Sequence, residues 1–152
     1  MVAARWVSLR PPRLAQGLGV LALTGHLMLW GTAAPLGRLP ALGAGLALAG
    51  MAWMLWAAWC FRQAQTTIFP TGMPTMLVDE GPFRFGRNPM YLGLTVAIAG
   101  LAVALGSPLL VLAALLFFSI VAWVHVPFEE QRLRQVFGGW YSDYAASVRR
   151  WL

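Results

Sequence analysis

Asp79-Glu80-Gly81-Pro82-Phe83-Arg84-Phe85-Gly86-Arg87-Asn88-Pro89-Met90-Tyr91-Leu92-Gly93 is the stretch on which the fold of this chain turns. It is polar, holds several Gly and Pro, and runs without a break into a long apolar segment. Phe128-Glu129-Glu130 stands just past the end of the next apolar segment. Charged and hydrogen-bonding groups at the edge of hydrocarbon are costly unless they find partners. Two arginines, an asparagine and a tyrosine on one side and a glutamate pair on the other therefore read as the walls of one site.

Outward from this stretch, the 152 residues are 59% hydrophobic and only 11% charged, which no ordinary soluble domain is. The net charge of +6 comes from eleven Arg and no Lys. Because these Arg lie in short segments between apolar runs, topology and anionic head groups account for them, membrane lipids are the expected surroundings, and no nucleic-acid partner is expected. Cys60 is alone, so an internal disulfide and a CxxC motif are excluded. It reads as a small apolar residue at a helix end. No zinc-binding spacing is present, and His125 and Glu129, four residues apart, share a helix face only if Pro127 does not bend it too far, so no metal is expected. Arg5, Arg10 and Arg13 precede an apolar run with no convincing cleavage site, so the first run reads as a retained anchor.

The apolar runs predict an all-α integral membrane protein with about four transmembrane helices. Residues 1–16, with three Arg and Pro11-Pro12, suit an interfacial arm. Span one runs from Gly17 to about Pro35, with His26 in its middle as either an intramembrane site or a histidine bonded to a neighbouring helix. Span two covers 41–61; its Gly43, Gly45, Ala47 and Ala49 suit close helix contact, and Trp53, Trp56 and Trp59 form a packing or interfacial stripe. Residues 62–88 are a long loop, broken by Pro70, Gly72, Pro74, Gly81 and Pro82. Span three starts at Pro89 and ends at Leu105, with Gly93, Ala97, Gly100 and Ala104 as a small-residue face. After Gly106-Ser107-Pro108, span four runs from Leu109 to about Val126, and the two should form a hairpin. Pro127 should kink or end span four. Residues 127–152 then read as two short amphipathic helices on either side of Gly138-Gly139, one with Leu133, Val136 and Phe137 on a face, the other with Tyr141, Tyr144, Val148 and Trp151. They are expected to lie on the membrane surface and cover a cytoplasmic-side pocket. Only Arg38 falls among the loops of the opposite side, so both termini are expected in the cytoplasm.

The polar constellation has a definite chemical capacity. Glu129 and Glu130 can accept from an ammonium or from ribose hydroxyls, and Arg84 or Arg87 can take a carboxylate through two N–H groups. Tyr91, Tyr141, Tyr144 and Trp140 offer faces to a flat base or a cation. S-adenosylmethionine carries every one of these groups. The plainer alternative is that the arginines set topology, the glutamates balance them, and the tyrosines form an interfacial belt.

Gly81-Pro82-Phe83-Arg84, then Arg87-Asn88-Pro89-Met90-Tyr91-Leu92-Gly93, then Glu129-Glu130, Leu133, Phe137-Gly138, Tyr141, Tyr144 and Val148-Arg149-Arg150-Trp151 resemble the isoprenylcysteine carboxyl methyltransferase family and the related phospholipid methyltransferases. The resemblance covers roughly residues 65 to 152. It implies an integral-membrane methyltransferase that binds S-adenosylmethionine and admits a lipophilic or lipid-linked acceptor from the bilayer, expected in a prokaryotic cell membrane. Carried over, Asn88, Pro89, Tyr91, Leu92, Gly93, Glu129, Glu130, Tyr141 and Tyr144 fall on the cofactor site. Arg87 would orient a carboxylate acceptor, and Glu130 would receive the proton of an amine or thiol acceptor. The eukaryotic pattern has His where this chain has Asn88, which can hold a ligand but cannot titrate near neutral pH. Two other functions would use the same residues: a membrane reductase with a nicotinamide cofactor, and a non-catalytic membrane scaffold.

Overall fold

The computed structural model describes residues 11–65 and 76–152. The expected arm falls largely, and the 62–88 loop partly, outside the described residues. Among the described residues all regular structure is helical. α1 is Pro11–Trp30, α2 Pro40–Gln63, α3 Pro89–Leu105, α4 Pro108–Ile120, α5 Val126–Phe137 and α6 Gly139–Ser147, with a short 3-10 turn at Gly81–Arg84.

α1 starts six residues before the expected Gly17 and stops at Trp30, short of Pro35. Pro11 and Pro12 occupy its first turn, where a missing N–H costs nothing and a fixed φ favours the helix, so the pair starts α1 instead of preventing it. Gly31, at φ 59°, follows the last helical residue. His26 is buried and its ring lies 5.6 Å from that of Trp30; its Nδ1 makes no hydrogen bond among the described residues.

Pro127 also acts differently from its sequence expectation. The backbone passes from α4 through a π-helical turn, Val121–His125, directly into α5. Val126 N–H bonds to Val121 O, one residue further back than in an α-helix, and Pro127 falls in the first turn of α5, where its missing donor is tolerated. The helix is therefore continuous from Pro108 to Phe137, 30 residues in all.

That helix and α2 are long and apolar enough to cross a membrane, and the 17 residues of α3 form a shorter apolar helix. Only 17% of the apolar window of α2 is buried within the protein. An apolar helix exposed on most of its circumference is matched to lipid and not to water.

α2 and α3 make the most extensive helix contact. A Cβ on Gly100 would lie 2.3 Å from Ala47 N, and one on Gly43 would lie 2.2 Å from Ala104 N. Gly93 and Gly50 meet backbone to backbone a turn or two further along. Of the small residues seen in the sequence, Gly43 and Ala47 on α2 and Gly93, Ala97, Gly100 and Ala104 on α3 lie at the contact, whereas Gly45 faces open space and Ala49 is exposed; Gly50 completes the α2 face. α1 packs on α4, and α3 and α4 form the expected hairpin. Gly106 closes α3 in the left-handed conformation (φ 62°), and the Ser107 hydroxyl caps α4 by accepting from Leu110 N–H at 3.3 Å. The α1–α2 turn docks on this hairpin through Leu36 N–H to Gly106 O (3.2 Å) and Leu39 N–H to Val103 O (3.1 Å). The opposite end of the bundle carries the polar stretch, α5 and α6.

Candidate functional site

Asn88 precedes α3 and Pro89 opens it, so the polar stretch is fixed at the helix start. Three parts of the chain converge there. The first is the Gly81–Arg84 turn, whose Phe83 packs edge to face on Phe61 of α2 (5.2 Å) and whose Phe83 O accepts from the Tyr144 hydroxyl at 2.8 Å. The second is the first turn of α5. The third is the extended segment after α6. Arg87 N–H donates to Arg149 O at 2.9 Å, and Asn88 Nδ2 donates to Arg150 O at 2.9 Å. Gly86 lies against the Trp151 carbonyl so closely that any side chain would overlap it. The Trp151 ring is held 4.7 Å from that of Phe118 on α4. The last residues are therefore clasped onto the motif.

The adjacent glutamates take different partners. Glu130 is buried, and its carboxylate accepts from Arg150 Nε (3.0 Å) and Nη2 (2.8 Å) while Arg87 Nη2 stands 3.2 Å away. Its oxygens are thus already engaged by two guanidinium groups. Arg150 is raised above its ordinary range chiefly by this bond. Glu129 turns to α3 and accepts a short hydrogen bond from the Tyr91 hydroxyl. Among the described residues no cation stands on Glu129. Arg87 Nη1 donates to Ala145 O at 3.2 Å, while its Nε is buried without a partner among the described residues.

The other sequence candidates take other places. Gly93 is a contact point with α2, where a Cβ would lie 2.6 Å from Gly50 O. Leu92 follows on the same helix, its N–H bonded to Asn88 O. Tyr141 and Tyr144 are buried in a cluster with Leu77, against which Leu133, Phe137 and Val148 pack. The apolar faces of α5 and α6 thus close on each other, and Trp151 leaves that face for Phe118. Burial pushes both phenols above their usual range, with the charge of Glu130 adding to the effect at Tyr141 and that of Tyr141 at Tyr144. Trp140 is exposed and pairs only with Phe137, and Arg84 is exposed with no ion pair among the described residues. No group of three potential metal ligands gathers among the described residues. The Arg149-Arg150 pair was visible in the sequence, but sequence spacing gives no sign that Arg150 meets Glu130 or that Gly86 meets the Trp151 carbonyl.

Residues 39–139 match the family model for phospholipid methyltransferases, two thirds of the chain. The chain belongs to the phospholipid methyltransferase family. Within that family it is similar to protein-S-isoprenylcysteine O-methyltransferase B of Arabidopsis thaliana, 36% identical over 76 residues that make up 47% of this chain and 36% of that protein. The A form of the same plant is 37% identical over 76 residues, with the same two shares. A probable protein-S-isoprenylcysteine O-methyltransferase of Oryza sativa subsp. japonica is 37% identical, over 47% of this chain and 38% of the rice protein. The match thus spans little more than a third of these curated relatives' length. No solved structure matches the chain significantly.

Proposed function

We propose that this phospholipid methyltransferase family member is a four-span membrane enzyme that transfers a methyl group from S-adenosylmethionine to a lipid-linked acceptor. The observation that carries this reading is the Tyr91–Glu129 pair. It joins the motif to the glutamate pair and leaves a part-buried carboxylate with no counter-cation among the described residues.

The side chains suit the cofactor. Glu129 can compensate a sulfonium or an ammonium, and the buried Arg87 Nε, without a partner among the described residues, is a donor for a carboxylate. When bound, S-adenosylmethionine supplies an electrophilic methyl group. Tyr91 holds the Glu129 carboxylate in place, Arg87 ties α5 and α6 to the motif, and the C-terminal clasp excludes water from the mouth of the helices.

Glu130 is not offered as a proton acceptor, because two guanidinium groups already engage it. Its role is to position Arg87 and Arg150. An acceptor that needs no base fits best: a lipid-linked carboxylate, as the names of the plant relatives also suggest. Likewise, the side chain of Asn88 is proposed to tie down the C-terminal main chain and not to do acid–base work.

The test is equilibrium binding of S-adenosylmethionine to detergent-solubilised protein. Glu129→Gln should weaken it about tenfold or more, the scale of one charge-assisted contact. Labelled methyl transfer should favour a prenylcysteine carboxylate over phosphatidylethanolamine. A folded wild-type protein that does not bind S-adenosylmethionine would sink the reading.

A further inference from the structure

We propose that the cleft between α5 and the C-terminal segment binds the phosphate of an anionic phospholipid head group through Arg134 and Arg150. This rests on the reading of the chain as membrane-spanning, but not on methyl transfer.

The cleft has a volume of about 460 Å³ and is lined by Pro127, Glu130, Gln131, Arg134, Gln135 and Arg150. The five positions on α5 follow helical spacing and share one face. Glu129 points away from that face toward Tyr91, so the cleft stands apart from the proposed methyl-donor contacts, with Glu130 as the wall between them. The one acidic group in the lining is matched on one side by Arg87 and on the other by Arg150. Arg134 is exposed and meets no acidic side chain among the described residues. The mouth of the cleft therefore carries an excess of positive charge, with two glutamine amides beside it. Planar guanidinium groups with such donors match a phosphate.

The level of the cleft along the helix selects the source of that phosphate. A hydrocarbon layer takes up about 20 residues of helix, so of the run from Pro108 to Phe137 it ends near Pro127. Arg134 then lies ~10 Å beyond, among the head groups. Two exposed tryptophans bracket the level, Trp123 on the apolar side and Trp140 on the polar side, as interfacial aromatics do.

The test is native mass spectrometry of the detergent-solubilised protein titrated with phosphatidylglycerol and with phosphatidylcholine of the same acyl chains. Wild type should bind phosphatidylglycerol preferentially. The preference should fall about fivefold in Arg134→Gln and further in Arg134→Gln/Arg150→Gln. Because Arg134 is exposed and forms no ion pair among the described residues, its variant should fold, which circular dichroism would verify. Arg38→Gln, at the opposite end, should leave the preference unchanged.

Equal binding of the two lipids, or a preference intact in Arg134→Gln, overturns the proposal. Displacement of the lipid by millimolar inorganic phosphate with no preference between lipids would mark a site for free oxyanions instead. Displacement by S-adenosylmethionine would assign the cleft to the methyl donor. S-adenosylmethionine binding measured in parallel separates the two readings: a protein that selects phosphatidylglycerol but binds no S-adenosylmethionine loses only the proposed function.

Discussion

Glu129 and Glu130 are chemically alike and adjacent, yet about 100° of helical rotation sends one to Tyr91 and the other to two arginines. That a glutamate pair would face the motif was legible in the sequence. Which member takes which partner was not, because it depends on the rotation of α5 after the π-helical turn. Tyr144 shows the same limit: its spacing puts it on the face of the tail that packs inward, but does not tell that it is buried with its hydroxyl donating to Phe83 O of the motif turn. Burial holds its proton, so its folded pKa lies above the usual 10. The stability tied to the neutral phenol is fully present below that ordinary value and is lost as the pH rises through the folded one. Phenolate absorbance of the solubilised protein should therefore appear at higher pH than for free tyrosine, together with loss of helical signal. Tyr144→Phe should cost about 1 kcal/mol at neutral pH and reduce the alkaline loss. Ionisation of every tyrosine at the free value, with the helices intact, would contradict the burial.

Among the elements, the pairing of α2 with α3 was the most legible, because small residues at helical spacing can bring two apolar helices together only along that face. The start of α1 was the least legible. Pro11-Pro12 reads equally as a break or as a first turn, and the difference lies in which helix follows and packs. The role of Gly86 was equally hidden, since its neighbour, the Trp151 carbonyl, lies at the far end of the chain. The α2–α3 contact makes a quantitative demand. At Gly100 a Cβ would press on Ala47 N and Gly43 O, which are backbone atoms unable to swing aside. Gly100→Leu should therefore lower stability by about 3 kcal/mol or more, at or beyond the usual upper end for overpacking. Gly45→Ala, into open space on α2, should be neutral or stabilise by up to about 1 kcal/mol. Thermal unfolding in a single detergent checks both, and equal effects at the two positions would contradict the backbone contact.

At the scale of the molecule, charge and hydrogen bonding agree on an orientation. The two turns that join α1 to α2 and α3 to α4 bond to each other, so they share one end of the bundle. Among the described residues Arg38 is the only charged one there, its guanidinium donating to Thr32 O at 2.7 Å. Arg62, Arg84, Arg87, the charged half of α5 and the clasp belong to the other end. Basic residues are retained in the cytoplasm, so the Arg-rich end should face inward and the Leu36–Arg38 turn outward. Four crossings follow if α1 and the 17-residue α3 span beside the two longer helices, since only an even number brings both the start of α1 and the clasp to the Arg-rich side. In a Cys60→Ala background, Leu36→Cys should react with a membrane-impermeant maleimide on intact cells, because Leu36 is exposed at the outer turn. Gln135→Cys and Ser142→Cys should react only after the membrane is opened, since both lie exposed at the inner end. Labelling of Gln135→Cys on intact cells together with Leu36→Cys would mean that α4 and α5 do not carry the chain back across, and the proposed function would then lack a cytoplasmic source of methyl donor.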